Sequence, residues 1–166
     1  GSYQSRFGSL IRAYELIGFK PDRDYRYIEI NRFLRQMHHD IVAETIIAIE
    51  SLGGSVYRDT ATDLLTVNGE MTASIVIARC QQTPAGSLRW KIRLDTGLAP
   101  DITVAIRMNE MNASPLDYYL LPRYDMTEER VRLAPENGLM LDAYRFDNLE
   151  YFYSMAERAK ISEIAV

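Results

Sequence analysis

The sequence predicts an α+β fold, with helices at the N- and C-terminal ends and a twisted, mainly antiparallel sheet of about five to six strands between them. Two observations predict it. Apolar residues recur at helical spacing over residues 41–52, and beyond Gly53-Gly54 they alternate with polar residues at the period of a strand. The chain has 166 residues, of which 47% are hydrophobic, enough for one domain with a real core. We expect a helical segment over residues 1–52 and a sheet with a C-terminal helix over residues 53–166, together forming one compact unit.

The N-terminal helices follow from capping residues and apolar spacing. Ser9 as N-cap and Gly18 as the stop predict a helix over residues 10–17. Residues 25–30 are compatible with either strand or helix, and residues 31–37 have helical spacing. We expect a break at residues 38–40, followed by a clearer helix.

Residues 53 onward predict strands and one final helix. The Asn68-Gly69 pair predicts a tight hairpin turn, and the short connections that follow predict an antiparallel meander over residues 55–108. Asp147 and Glu150 have the spacing of a capping box and predict a last helix over residues 148–160. The predicted strands span residues 55–58, 63–67, 73–80, 88–95, 102–108 and 117–121.

A row of cations marks the fourth predicted strand. Arg89, Lys91 and Arg93 alternate with apolar residues over residues 88–95, so all three project from one face. If the strands on either side are its neighbours, Arg79 and Arg107 share that face. Five cations on one sheet face suit a phosphate backbone. The alternatives are a solvated face, paired in part with acids of the C-terminal third, and a protein partner.

The N-terminal block is a second candidate for anion binding. Arg6 and Arg12 flank the start of the helix predicted at Ser9, where free backbone N–H groups donate hydrogen bonds to a phosphate. The alternative is a helix that packs into the core with Arg12 in solvent. The complete predicted set of nucleic-acid-binding residues is Arg6, Arg12, Arg79, Arg89, Lys91, Arg93 and Arg107.

The charge distribution supports a local rather than an overall attraction for polyanions. The chain carries a net charge of −4, but residues 1–39 and 72–108 each carry a net +3, separated by blocks of −5. Of the 19 cations, 16 are arginine, whose planar fork of donors suits phosphates and guanine edges. Codon bias in a GC-rich genome explains the arginine content equally well.

A divalent-metal nuclease is the alternative function. A helix followed by three strands resembles the restriction-endonuclease-like fold, whose second strand carries an acid and whose third carries an acid–x–lysine triplet. Asp63 matches the first acid in position, and Glu50 matches a helix acid. Residues 74–79 lack both the third-strand acid and the lysine. Either the fold is a degenerate, non-cutting version of that family, or cleavage uses an atypical site around Asp63, Glu70 and Asp95.

Several segments together resemble bacterial serine-recombinase-like proteins. The resemblance implies a non-catalytic accessory DNA-binding region lying beyond the catalytic domain of a recombination or mobile-element protein, because no nucleophilic serine lies among the expected arginines. The segments that carry it are residues 6–10, 13–14, 17–19, 24–31, 78–80, 86–90 and 117–122.

The remaining expectations concern partners and environment. The single cysteine, Cys80, lies in an apolar stretch and is interpreted as a buried residue in a reducing, cytoplasmic protein. No spacing of histidines and cysteines suits a metal, so we expect no metal and no cofactor.

DNA is the expected partner, no membrane is expected, and a homo-oligomer or other parts of a parent protein remain possible partners. A protein-interaction role would use the tyrosine-rich tail, residues 144–153, although docking of its helix on the sheet is favoured.

Overall fold

The computed structural model describes residues 23–159, with side chains from residue 27 onward, and it confirms the α+β class. Its helices are α1 (Arg23–Ser51), α2 (Gly138–Asp142) and α3 (Glu150–Ala156), with a 3-10 turn at Arg123–Asp125. Its strands are β1 (Val56–Arg58), β2 (Leu65–Val67), β3 (Met71–Ala78), β4 (Cys80–Gln82), β5 (Leu88–Arg93), β6 (Ile102–Met108), β7 (Pro115–Pro122), β8 (Arg130–Leu133) and β9 (Arg145–Phe146). The predicted helix over residues 10–17 lies outside the described residues.

The strands form two sheets. The main sheet has the order β1-β2-β3-β6-β7-β9, and the second sheet has the order β4-β5-β8. All pairs are antiparallel except β3 and β6, which run parallel. The predicted meander over residues 55–108 is therefore wrong after β3. A parallel pair needs a long crossover connection, and the segment between β3 and β6 supplies it by forming β4 and β5 on one face of the main sheet.

The main sheet separates two hydrophobic clusters because its side chains alternate between faces. On one face, Val104 and Ile106 of β6 pack with Leu34 and Ile49 of α1 and with Phe152 of α3. On the other face, residues of β6 and β7 pack against the second sheet. The order of layers is thus helices α1 and α3, then the main sheet, then the second sheet, with α2 beside the second sheet. This order leaves the outer surface of the second sheet on the opposite side of the molecule from α1.

Helix α1 is continuous through the predicted break at residues 38–40. His38 faces the main sheet, where its Nε2 lies 2.7 Å from the carbonyl oxygen of Ile75. The flanking residues Met37 and Val42 are buried, so tertiary packing stabilises helical backbone across the two histidines. Among residues 23–159, none of the helices combines the length and the apolar character that a transmembrane span requires.

Glycines end α1 and form the turn between β2 and β3, as predicted. Gly53 has φ +86°, and a Cβ there would lie 2.1 Å from the carbonyl oxygen of Arg158. The backbone therefore needs glycine where the C-terminal segment crosses the end of α1. Asn68 and Gly69 both have positive φ, and this turn joins the antiparallel strands β2 and β3.

The C-terminal helix is shorter than predicted and begins differently. Helix α3 has Leu149 at its N-cap without a side-chain cap, so the capping box from Asp147 to Glu150 does not form. The side chain of Asn148 instead accepts a hydrogen bond from the backbone N–H of Glu150, at 3.0 Å. Phe152 is fully buried in the cluster with α1, which docks the helix on the main sheet.

Cys80 is buried, as its apolar context predicts. It opens β4 rather than ending β3, because the chain leaves the main sheet at Arg79. The side chain of Asn112 pairs with the backbone of Cys80, accepting from its N–H at 2.6 Å and donating to its carbonyl at 3.0 Å. Burial raises the pKa of the Cys80 thiol, which favours the unreactive protonated form.

Candidate nucleic-acid interface

Two neighbouring strands of the second sheet present cations directly opposite one another. Lys91 of β5 is the cross-strand partner of Arg132 of β8, and Arg93 is the partner of Arg130. Directly opposed residues of an antiparallel pair project from the same face, about 5 Å apart. Together with Arg89, these side chains form a surface that we call the basic ribbon: Arg89, Lys91, Arg93, Arg130 and Arg132.

The apolar face of β5 and β8 determines that the basic ribbon points outward. Trp90 and Ile92 of β5 and Leu133 of β8 are buried in the cluster between the two sheets. The indole N–H of Trp90 also donates to the carbonyl oxygen of Met108, at 2.8 Å. Because residues alternate along a strand, this anchoring turns the cations to the opposite side. Lys91, Arg93, Arg130 and Arg132 are all exposed.

Few acids neutralise the basic ribbon. Within residues 27–159, Arg93 has Glu129 at 3.6 Å, with both side chains more than half exposed. An exposed pair of this kind contributes little to stability. Lys91, Arg130 and Arg132 form no ion pair with any side chain in that range. Like charges held face to face without counter-ions attract an anion strongly.

The basic ribbon is two strands wide along most of its length. Strand β4 pairs with β5 only from Leu88 to Trp90, whereas β8 pairs with it from Trp90 to Arg93. A depression of ≈ 440 Å³ follows this two-stranded part and is lined by residues 91–93 and 130–132. Two-stranded antiparallel ribbons are narrow enough to approach the major groove of a DNA duplex.

Arg130 and Arg132 were missed by sequence reasoning. The segment Arg130-Val131-Arg132-Leu133 has the same alternation of cation and apolar residue as β5, so a local signal was present. It is only four residues long and lies in a block with a net charge of −5, residues 109–166. The pairing of β8 with β5 joins residues about forty positions apart, and no local sequence pattern predicts this pairing.

Arg107 lies in the core and not on the basic ribbon. Its side chain is 1% exposed and forms an ion pair with Asp117, with an Nη2–Oδ2 distance of 2.7 Å. Its guanidinium also lies over the rings of Trp90, at 4.4 Å, and Tyr119, at 5.4 Å. The expectation that Arg107 shares a face with Arg89 and Lys91 is therefore wrong, since Trp90 projects from the other side of β5.

Arg79 faces α1. Its Nη1 donates to the side-chain oxygen of Asn31 at 2.8 Å, and its guanidinium lies 4.7 Å from the ring centre of Tyr27. Strand β5 is not a neighbour of β3 or β6 in the sheets, so the premise that placed Arg79 on the same face as Lys91 fails. Arg6 and Arg12 lie outside the described residues.

The carboxylates of the nuclease hypothesis occupy separate places. Asp63 precedes β2 and pairs with Arg58 at 2.7 Å, whereas Glu70 follows β2 and pairs with Arg158 at 2.7 Å. Asp95 follows β5 and accepts hydrogen bonds from the backbone of its own loop. In the part of the chain that the structure describes, no group of three or more histidine, cysteine or acidic side chains is arranged to hold a metal.

The aromatic tail proposed for protein interaction is largely used within the fold. Phe152 is fully buried, and Phe146 stacks on Tyr151 with ring centres 5.0 Å apart. Tyr144 donates a hydrogen bond to Asp125, and Tyr153 packs against the cluster beneath α1. Tyr151 stays about half exposed, at 54%.

Comparisons with known proteins identify no family. No family model and no curated protein match the chain. Among solved structures, it is similar to a bacterial homing endonuclease, I-Ssp6803I, with 15% identity and a TM-score of 0.42, over 73% of this chain and 92% of that one. At this identity and TM-score, the similarity supports no statement about activity. The resemblance to serine-recombinase-like proteins gains no support from these comparisons.

Proposed function

We propose that this chain binds DNA through the basic ribbon, mainly by contacts to the phosphate backbone. The observation that carries the proposal is the direct opposition of Lys91 to Arg132 and of Arg93 to Arg130. Like charges placed opposite each other reduce the stability of a sheet. A bound polyanion removes that repulsion. Because the fold holds these cations together before any ligand binds, its surface is already suited to a polyanion.

The geometry of the basic ribbon favours an extended anion. Neighbouring cations along a strand lie two residues apart, which is about 7 Å, and the strands lie about 5 Å apart. Five cations at these spacings cover more area than a single phosphate occupies. A chain of phosphates satisfies several of them at once, and displacing its condensed counter-ions makes the affinity depend steeply on salt.

A more specific role rests on the sequence resemblance alone. The resemblance to serine-recombinase-like proteins would make the chain a non-catalytic accessory module of a recombination or mobile-element protein. The nuclease alternative has less support, because Asp63 and Glu70 pair with different arginines and Asp95 accepts hydrogen bonds within its own loop.

Fluorescence anisotropy with a labelled DNA duplex over a series of salt concentrations tests the proposal. The variant K91Q/R132Q removes two cations from the basic ribbon. Each lost phosphate contact makes the plot of log affinity against log salt shallower by about 0.9, so the slope should fall by about 2 in this variant.

The matched control is R32Q/R35Q. Both arginines are exposed on α1, on the other side of the main sheet from the basic ribbon, and the change in net charge is the same. We expect this control to keep the wild-type slope. Equal slopes for K91Q/R132Q and wild type, or equal losses in both double variants, would remove the basic ribbon from the interface.

A further inference from the structure

The short helix α2 presents two large apolar side chains to solvent. Leu139 is 94% exposed and Met140 is 87% exposed. No residue of α2 is fully buried, and Leu141 is the member of the helix that packs against the cluster between the two sheets. We call Leu139 and Met140 the apolar tip.

Hydrogen bonds at both ends of α2 hold the apolar tip in place. Asp142, its last residue, accepts from the hydroxyl of Tyr119 at 2.6 Å and from the backbone N–H of Asn137 at 3.1 Å. The side chain of Asn137 in turn bonds both the N–H and the carbonyl of Ala134, at 2.7 and 2.8 Å. These polar contacts, together with Leu141, which packs against the cluster between the two sheets, fix the segment while Leu139 and Met140 stay outside the core.

The apolar tip adjoins the basic ribbon. A groove of ≈ 550 Å³ runs between β8 and α2, and its lining includes Arg130, Arg132 and Met140. One continuous surface therefore carries cations along a strand and then a rigid apolar projection. The acids beside this groove include Asp125, which accepts a hydrogen bond from Tyr144, and Glu128.

We propose that the apolar tip inserts between base pairs of the duplex that the basic ribbon holds. This inference rests on the proposed function and extends it from backbone contact to deformation of the DNA. Proteins that kink a duplex insert leucine or methionine side chains into a base step and repay the unstacking with additional backbone contacts. The rigid support of α2 reduces the conformational entropy lost on insertion.

The size and surroundings of the apolar tip favour a base step over other partners. A stable protein interface buries about 800 Å² on each side, with an apolar centre, which two side chains cannot supply alone. Stable attachment to a membrane similarly needs a long apolar helix face or more than one anchor. A gap between two base pairs accepts one or two side chains, and the phosphates beside it would meet Arg130 and Arg132.

The test uses duplexes that carry 2-aminopurine, whose fluorescence rises when it is unstacked. We expect wild-type protein to raise the fluorescence at one or a few positions of a flexible pyrimidine–purine step. The variant L139A/M140A should lose this rise and about tenfold in affinity, while keeping the salt slope. The variant M111A/L116A is a matched control, since it removes a methionine and a leucine that are 66% and 48% exposed elsewhere. It should behave as wild type.

The outcomes separate the two proposals. Salt-dependent binding with no fluorescence rise in wild type, or a rise that survives in L139A/M140A, overturns the insertion and leaves the basic ribbon intact. Absence of salt-dependent binding overturns both. Binding of wild type to anionic lipid vesicles, lost in L139A/M140A and without any 2-aminopurine response, would overturn the insertion in favour of a membrane contact.

Discussion

Arg107 and Arg132 illustrate two opposite uses of the same residue type. Arg107 is buried between the two sheets, where Asp117 pairs with it and two aromatic rings cover it. Arg132 is exposed on the outer side of the second sheet, directly opposite Lys91. The difference lies in the cross-strand partner: Asp117 is opposite Arg107 in the β6–β7 pair, whereas another cation is opposite Arg132. The identity of the opposite residue decides whether an arginine stabilises the fold or is available for a ligand.

Replacement of Asp117 with alanine should give the largest effect on stability. The variant leaves the charge of Arg107 buried without its carboxylate, and Arg145 also loses a partner at 2.8 Å. Breaking a buried pair in this way costs about 3–5 kcal/mol, measured as the free energy of unfolding in urea. The control Glu129→Ala removes an acid from the exposed pair with Arg93 and should cost less than about 0.5 kcal/mol. Similar losses in both variants would contradict the contrast between the two arginines.

Replacement of Tyr119 with phenylalanine should have an intermediate effect. It removes the hydrogen bonds that the hydroxyl makes with Asp142 and Asn137 and should cost about 1–2 kcal/mol in urea unfolding. Tyr124→Phe is the control, because Tyr124 is 85% exposed. A loss in Tyr124→Phe as large as that in Tyr119→Phe would show that the network beneath α2 contributes nothing of its own.

Tyr119 should also make the free energy of unfolding fall at alkaline pH. Burial, followed by the hydrogen bond to Asp142, raises the pKa of Tyr119 from 10.0 to about 12. Between these values only the unfolded chain releases the phenol proton, so its contribution is complete below pH 10 and is lost as the pH rises towards 12. Unfolding free energies measured across this window should fall less steeply in Tyr119→Phe than in wild type. If the free energies of unfolding of Tyr119→Phe and wild type fell equally with pH, the raised pKa of Tyr119 would be refuted.

Neutralising the basic ribbon should slightly raise stability. In K91Q/R132Q the repulsion between two opposed cations disappears, which is worth about 0.2–1 kcal/mol at low salt. At about 1 M salt the screening length falls to about 3 Å, and the gain should vanish. Thermal unfolding at the two salt concentrations measures it. The control is R35Q, since Arg35 is exposed on α1, whereas Arg32 pairs with the buried Glu29. A loss of stability in K91Q/R132Q would mean that these side chains support the fold.

The sequence predicted the fold class and most strands because these depend on local patterns. Alternation placed β5 and β6 almost to the residue, and Asn68-Gly69 located the hairpin between β2 and β3. The parallel pairing of β3 with β6 could not be predicted in this way, since it depends on the crossover packing its apolar side on the main sheet. The prediction of a helix break at His38 was wrong for a similar reason, because the contact of His38 with Ile75 comes from the main sheet.

Three of the five cations of the basic ribbon were visible in the sequence. Arg89, Lys91 and Arg93 alternate with a strongly apolar set, so their common face followed from periodicity alone. Their partners Arg130 and Arg132 depend on which strand adds to β5, a long-range property. Arg107, like Arg93, follows an isoleucine, but it is the one cation of a strand that is buried on both faces. Its partner Asp117 lies on the neighbouring strand.

The chain contains a single tryptophan, and the structure places it at the junction of the two sheets. Trp90 is 1% exposed, donates to the Met108 carbonyl and is covered by the Arg107 guanidinium. Its intrinsic emission is therefore a built-in spectroscopic probe of whether the second sheet is attached. Detachment would admit water to the indole and shift the emission to longer wavelengths, without any added label.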